Sequence, residues 1–279
     1  MTFEKVAFVG GGHMTRAIVG GMLQDGYPSS EILIADPFPE QRDILVKELP
    51  EVQISADNDE IVRQAVNVVL SVQPQILATV CKKLAPIVQE TRPLIISIAA
   101  GPRIADIDSW LGGGHAVARV MPNQPALIMK GISGIYANQA TTPNQLAAAR
   151  KIMSAVGLVI TVPNECDIDA VTAVSGSGPA YFYLLIDMIT KTGVDLGLDK
   201  ESARHLAIET AAGAAGLARA SEDSVDNLIA RVRSPGGTTA AALDSLEDSG
   251  IRDIFSNAIL AARDRATALA DEAHETGQD

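Results

Sequence analysis

Short runs of β-branched and aliphatic residues, each too brief for a helix and each closed by glycine, proline or an acid, are the strongest constraint on this chain. "KVAFVG" (5–10), "EILIAD" (31–36), "VNVVLSV" (66–72) and "PLIISIAA" (93–100) carry apolar residues on both alternating faces. Strands read this way when a sheet is covered on both sides, and the helical patterns between them call for parallel pairing. "HAVARVM" (115–121) and "GISGIYA" (131–137) add further strands. The expected class is α/β, a doubly wound parallel sheet at the N-terminal end. Strands then stop. From about Pro163 the sequence is Ala-rich and helical, broken by Gly193, Gly197, the 234–237 run and Gly250. A boundary within "TVPNECD" (161–167) divides the chain into a sheet domain, 1–162, and an all-α domain, 163–279.

The formal charge of −12 argues against nucleic acid and against an anionic membrane surface as partners. It leaves room for an anionic small molecule at a locally positive site. Two cysteines, Cys81 and Cys166, lie far apart without metal-ligand spacing and read as reduced core thiols of a cytosolic protein. No metal is expected. The opening "MTFEKVAFVGGG" enters a strand at once, and no apolar run is long enough to span a bilayer. A soluble, cytoplasmic protein is the expectation.

The first strand runs into "VGGGHMTRAIVGGML". Gly10 and Gly12 fill the first two places of G-x-G-x-x-G, and Thr15 takes the third. The first glycine serves the tight turn and the second lets a pyrophosphate approach the backbone. The third normally lets helix pack on strand, so Thr15 loosens the match. His13 and Met14 lie within the same turn. An acid, Asp36, ends the second run, where a carboxylate accepts from the adenine ribose and disfavours a 2′-phosphate. Arg42 offsets this if it folds back; otherwise it is a solvated helix charge, the reading its position favours. "SVQP" (71–74) and "SIAAG" (97–101) break at strand ends that face the same crevice. A Rossmann-type NAD(P) site follows from this context.

Two glycine-rich segments of the second half allow two readings each. In "VRSPGGTT" (232–239), Pro235 removes a donor while Gly236 and Gly237 let the backbone curl ahead of a helix. Thr238 and Thr239 either cap that helix or stand beside amides open to an anion. In "AVSGSGPAY" (173–181), Pro179 suits a first helical turn and Ser177 or Gly178 its cap. The extra Gly176 points to another chain or a ligand passing close. "AIETAAGAAGLARA" (207–220) is either a subunit-interface helix or an ordinary core helix.

"AVSGSGPAYFYLLIDMI" (173–189), "SPGGTT" and "RVMPNQPA" (119–126) together resemble the pyrroline-5-carboxylate reductases, along essentially the full length of the chain. The resemblance implies a Rossmann domain followed by an all-helical domain that dimerises by interlocking, with dimers often joined into rings. It implies hydride transfer from NAD(P)H to a cyclic imino acid, 1-pyrroline-5-carboxylate, giving L-proline. NADPH is favoured in the family, and NADH stays open because of Asp36. By matching position, Gly10, Gly12, Met14, Asn58, Ser71, Val72, Gln73, Pro74, Ala99, Ala100 and Asn123 are expected at the cofactor, with Gly101, Met121, Pro122 and Pro125 nearby; His13 and Asp36 join them from the fingerprint reading, Asp36 at odds with the family's NADPH preference. Ser234, Gly236, Gly237, Thr238, Thr239 and Ser177 are expected at the substrate, Thr239 and Ser234 as the catalytic hydroxyls. Gln73 and Gln124 depart from the Lys and Thr common in the family.

A protonated imine is already a good electrophile, so the reaction needs orientation and a hydrogen bond to nitrogen rather than a His–Asp pair. The four histidines, His13, His115, His205 and His274, are scattered accordingly. A β-hydroxyacid dehydrogenase would need a Lys with Asn a turn later, whereas Lys191 is followed by Asp195. A reductase of another cyclic imine and a non-catalytic NAD(P)-sensing regulator are the remaining alternatives.

Overall fold

The computed structural model describes residues 3–277. The chain forms two compact units, one running to Ser177 and resuming at Ala262, the other Gly178–Ala261. Strand content ends at Thr161, close to the change of periodicity, whereas packing of the first unit continues through Ser177.

The first unit is built on an eight-stranded sheet: β1 Val6–Val9, β2 Ile32–Ala35, β3 Gln53–Ser55, β4 Asn67–Leu70, β5 Leu94–Ser97, β6 Val117–Met121, β7 Gly131–Ala137 and β8 Gly157–Thr161. Their order is β3-β2-β1-β4-β5-β6-β7-β8. Pairing is parallel up to β6, antiparallel between β6 and β7, and parallel again between β7 and β8. The strand β3 has three residues and one buried position, too little apolar pattern to show in the sequence. The strand β8 directly follows an apolar helix face, and its alternation merges with it.

Helices α1 His13–Gln24, α2 Pro39–Glu48, α3 Asn58–Val62, α4 Pro74–Thr91, α5 Ile104–Trp110, α6 Pro143–Ser154 and α7 Asp167–Val171 cover the sheet. Strand alternation sorts the core into two layers. Val6, Phe8, Ile32 and Ile34 pack with Ile18 and Met22 of α1 and Ile152 of α6. Ala7, Val9 and Leu33 pack with Leu77, Cys81 and Leu84 of α4 and Ile107 of α5. Truncating one of the fully buried Ile or Leu residues to Ala costs about 2–5 kcal/mol.

The second unit holds α8 Gly178–Asp195, α9 Lys200–Ala220, α10 Val225–Val232, α11 Thr238–Asp248 and the start of α12, Ile251–Thr276. Asp199 caps α9 by accepting from the amides of Glu201 and Ser202, and hydrogen bonds from Ser202 hold its carboxyl below the usual range. Ser224 caps α10 in the same way. Only Ala203 and Ala207 of α9 are buried, while Leu206 and Leu217 are exposed. The 207–220 segment is therefore no core helix of the single chain. Phe182, Leu184, Met188, Val225, Val232 and Ile254 are also exposed, a concentration of bare apolar side chains that marks an association surface.

Both cysteines are free; Cys81 is the core thiol expected, buried on α4, whereas Cys166 is exposed, which corrects its reading as a core residue. Burial pushes the Cys81 thiol up to about 12. At pH 8 iodoacetamide is expected to modify Cys166 in the folded protein and Cys81 only in denaturant. Intact mass before and after unfolding reads this directly, and two equivalents added under native conditions would contradict it.

Candidate active site

The turn between β1 and α1 is set by backbone. Gly10 has φ +100°, and a Cβ placed there would lie 2.6 Å from the Ser71 carbonyl oxygen. Its amide donates to Ala35 O at 2.8 Å, so the turn is tied to both neighbouring strands. Gly12 is the N-cap of α1 and nothing stands within 4 Å of where its Cβ would be. The first turn of α1 contains no acid, and its first i→i−4 bond is Arg16 N to Gly12 O. The amides of His13, Met14 and Thr15 precede that bond and face the open side of Gly12, an arrangement that suits a phosphate.

Thr15 does more than fill the third fingerprint position. It is fully buried; its hydroxyl donates to Gly10 O at 2.6 Å and lies 2.8 Å from Ser71 Oγ. The hydroxyl bolts the glycine turn to the end of β4.

Asp36, at the end of β2, is buried and accepts from two amides, Gly11 N at 2.9 Å and Phe38 N at 3.0 Å. Gln41 of α2 holds the same turn, donating to Gly11 O at 2.5 Å. Arg42 is not a solvated helix charge: its Nη1 donates to Asp36 O and Pro37 O, both at 2.9 Å. The guanidinium therefore folds back onto the backbone of the residue whose carboxylate is expected to repel a 2′-phosphate, and the reading favoured for Arg42 from sequence is corrected.

Asn58 opens α3, with Asp57 as the cap, and its Oδ1 is buried without a partner. Ser71 and Val72 follow β4, Gln73 is the exposed N-cap of α4, and Pro74 is its first residue. Beyond β5, Ala99 N donates to Ser97 Oγ at 3.4 Å, Ala100 is half-buried, and Gly101 has φ +101°. Asn123 is buried, and its side-chain carbonyl accepts from Ile132 N at 3.0 Å, bracing the link from β6 to β7.

The "SGSG" segment is not a fresh helix start. After α7 a π-turn spans Thr172–Gly176, Ser177 N donates to Thr172 O at 2.8 Å, and Ser177 keeps helical dihedrals. Neither Ser177 nor Gly178 acts as a cap of a helix beginning at Pro179; α8 already includes Gly178. Pro179 has no N–H to offer the turn before it, and the widened turn lies there. The close approach inferred at Gly176 is made by this chain itself: a Cβ there would lie 2.6 Å from Met121 Cε.

In the second unit, Gly237 N donates to Ser234 O at 3.0 Å across a turn in which Gly236 has φ +69°. Gly237 is the N-cap of α11, so Thr238 and Thr239 are its first two residues and neither serves as cap. Their amides and that of Ala240 precede the first helical bond, Ala241 N to Gly237 O. Thr239 is half-buried, Ser234 and Thr238 are exposed, and Arg233 forms an ion pair with Asp244 that fastens the turn to α11.

The histidines serve other ends. His13 is exposed at the start of α1, His205 is exposed on α9, His115 is buried against Gln89 and the Leu111 carbonyl, and His274 pairs with Asp106 at 2.5 Å. Sequence reasoning missed a buried charge cluster, Arg119 with Glu165 and Asp169. The available signal was an arginine inside the apolar run "HAVARVM". Among the described residues no helix is long and apolar enough to cross a membrane, and no metal-binding cluster is present.

Residues 165–269 match the family model for pyrroline-5-carboxylate reductase dimerisation, and residues 5–101 that for NADP oxidoreductase coenzyme F420-dependent. A pyrroline-5-carboxylate reductase of Pseudomonas aeruginosa is 43% identical over 272 residues, covering 98% of this chain and 99% of that protein. The solved pyrroline-5-carboxylate reductase of Coxiella burnetii superposes with a TM-score of 0.92 at 38% identity, covering 96% of this chain and 99% of the other. The Plasmodium falciparum pyrroline carboxylate reductase solved with NADP bound gives a TM-score of 0.85 at 28% identity, over 97% and 99% of the two chains. With fold, glycine turn and both halves of the sequence in agreement, this chain belongs to the pyrroline-5-carboxylate reductase family.

Proposed function

We propose that this chain reduces 1-pyrroline-5-carboxylate to L-proline, with NADPH as the preferred reductant. The observation that carries this reading is the end-to-end likeness to the reductases, which includes both glycine-rich segments of the helical half. Residues 1–162 take the role of cofactor domain, and 163–279 that of substrate and dimerisation domain. The exposed apolar side chains of α8–α11 support a homodimer, and dimers joined into a larger ring complete the reading. The free cysteines accord with a cytoplasmic location.

The residues present fit a nicotinamide dinucleotide. Gly10 and Gly12 leave a cradle that side chains would obstruct or crowd, and the buried Asn58 Oδ1 lacks a partner that a ribose hydroxyl would provide. When bound, the cofactor supplies the hydride. The amides of His13, Met14 and Thr15 hold the pyrophosphate, with the helix dipole adding roughly 0.3–1 kcal/mol when exposed and up to ~2 when partly buried. Asp36 and Asn58 take the adenosine ribose, and Ser71, Val72, Gln73, Pro74, Ala99, Ala100 and Asn123 line the path toward the nicotinamide.

The turn at Ser234, Gly236, Gly237 and Thr238 holds the substrate carboxylate through charge-assisted hydrogen bonds. Ser177 gives a further polar contact. The Thr239 hydroxyl, with Ser234 beside it, meets the imine nitrogen: it donates to the neutral imine, and once nitrogen is protonated its oxygen accepts from that N–H. Such orientation supplies about 7–11 kcal/mol in favourable cases, which accounts for chemistry without a charged acid–base pair.

Protein-dependent and imine-dependent loss of absorbance at the reduced-nicotinamide band, followed with NADPH and NADH in parallel, tests the reading. Cofactor binding without turnover would favour the sensing regulator. Thr239→Val is expected to lower kcat about tenfold or more, equivalent to ~1.4 kcal/mol of barrier, with the fold retained. An unchanged rate at saturating imine would remove Thr239 from the mechanism.

Arg42 generates the cofactor prediction. Its guanidinium beside Asp36 supports NADPH over NADH despite that carboxylate. Arg42→Ala should raise KM for NADPH about tenfold, ~1.4 kcal/mol, and leave NADH within about twofold. Equal changes for the two cofactors would show that Arg42 does not read the 2′-phosphate.

A further inference from the structure

Arg119 stands in the middle of β6 with only 3% of its side chain exposed. Its Nη2 lies 3.2 Å from Asp169 Oδ1 and its Nη1 3.4 Å from Glu165 Oε1, while Nε is buried without a partner. Each carboxylate makes a second contact. Glu165 Oε1 accepts from Ile104 N, the first amide of α5, at 2.7 Å. Asp169 Oδ2 accepts from Thr267 Oγ1 of α12 at 3.2 Å. Stability is a poor reason for such a cluster, because buried ion pairs are often replaced by apolar residues at no loss, and here one donor is left unmade.

Position is a better reason. Arg119 is two residues ahead of Met121, which leads into Pro122 and Asn123. Ile104 follows the Ala99–Gly101 strand end by three residues. Asp169 lies on α7, directly before the π-turn whose Gly176 receives the Met121 side chain. One guanidinium thus joins the three chain segments assigned above to the nicotinamide and substrate side. The pyrophosphate turn and Asn58 lie on other strands and are not among its contacts.

We infer that Arg119, acting through Asp169 and Glu165, is a positioning residue that holds segments 99–101, 121–123 and 175–177 in the register hydride transfer requires. This rests on the reductase reading. Small displacements of an oriented pair are costly, a misplacement near 1 Å reaching about a hundredfold in rate. The cluster therefore governs the rate of transfer and not the affinity for NADPH. A cavity of about 420 Å³ flanked by Arg103 and Arg263 adjoins it, so a shortened side chain at 119 has water to reach.

The test uses the full-length protein and its Arg119→Lys, Arg119→Met and Asp169→Asn variants. Stopped-flow single turnover of bound NADPH with pyrroline-5-carboxylate gives a rate per competent site, and fluorescence titration gives the NADPH Kd. Arg119→Met is expected to slow the single-turnover rate about tenfold or more. Arg119→Lys should recover part of that loss, Asp169→Asn should slow the rate in the same sense, and Kd should stay within about threefold throughout. A purely structural role would instead reduce the amplitude, the fraction of competent sites, at an unchanged rate, and that result would overturn the inference. Thr267→Val, which removes one hydrogen bond from Asp169 without touching a charge, carries the test if the other variants do not fold; an unchanged rate there would also overturn it. An inactive parent protein would overturn the reductase reading itself, whereas an active parent with unimpaired variants would overturn this inference alone.

Discussion

The first unit depends on a contact that leaves no room for a side chain. Gly10 passes so close to the Ser71 carbonyl that only hydrogen fits, and its positive φ excludes most L-residues independently. This is also where the strand order reverses, β1 lying between β2 and β4. Connections leave to opposite sides of the sheet at that point and open a crevice at the carboxyl ends of the strands. Thr15, Asp36 and Gln41 then fix the turn from three directions, so the amides at the start of α1 are held before any ligand arrives. Such preorganisation lowers the entropic cost of binding.

The helical unit follows a different logic. Its caps are well formed and its helices long, yet the side chains that would make a core point outward in the single chain. Helices of this kind owe most of their stability to packing of an apolar face rather than to propensity. The bare apolar faces call for a partner surface, in agreement with the dimerisation family model that matches residues 165–269.

Much of this was legible in the sequence because it is carried by local pattern. Six strands, the glycine turn and the end of strand content follow from apolar runs and breakers, which need no knowledge of neighbours. What escaped depends on partners distant along the chain. Arg42 reads as a surface charge until Asp36 and Pro37 turn their carbonyls toward it. Thr15 reads as a blemish until Ser71 stands beside it. The "SGSG" segment signals small residues correctly, but their occupant, Met121, lies more than fifty positions upstream. The Arg119 cluster joins four stretches of chain, and no spacing rule connects them.

The reversal of β7 and β8 against the other strands has a consequence for how this end of the molecule is assembled. Because β8 runs opposite to β1–β6, the chain that leaves it has to turn back, and the helix after it passes Arg119 at Asp169 before reaching Met121 at Gly176. The length of chain from Thr161 to Gly176 therefore sets a phase as well as a distance. One residue more or fewer in that helix would rotate Gly176 by about 100° and turn its notch away from Met121. In this stretch a change of length is a more severe event than most changes of residue.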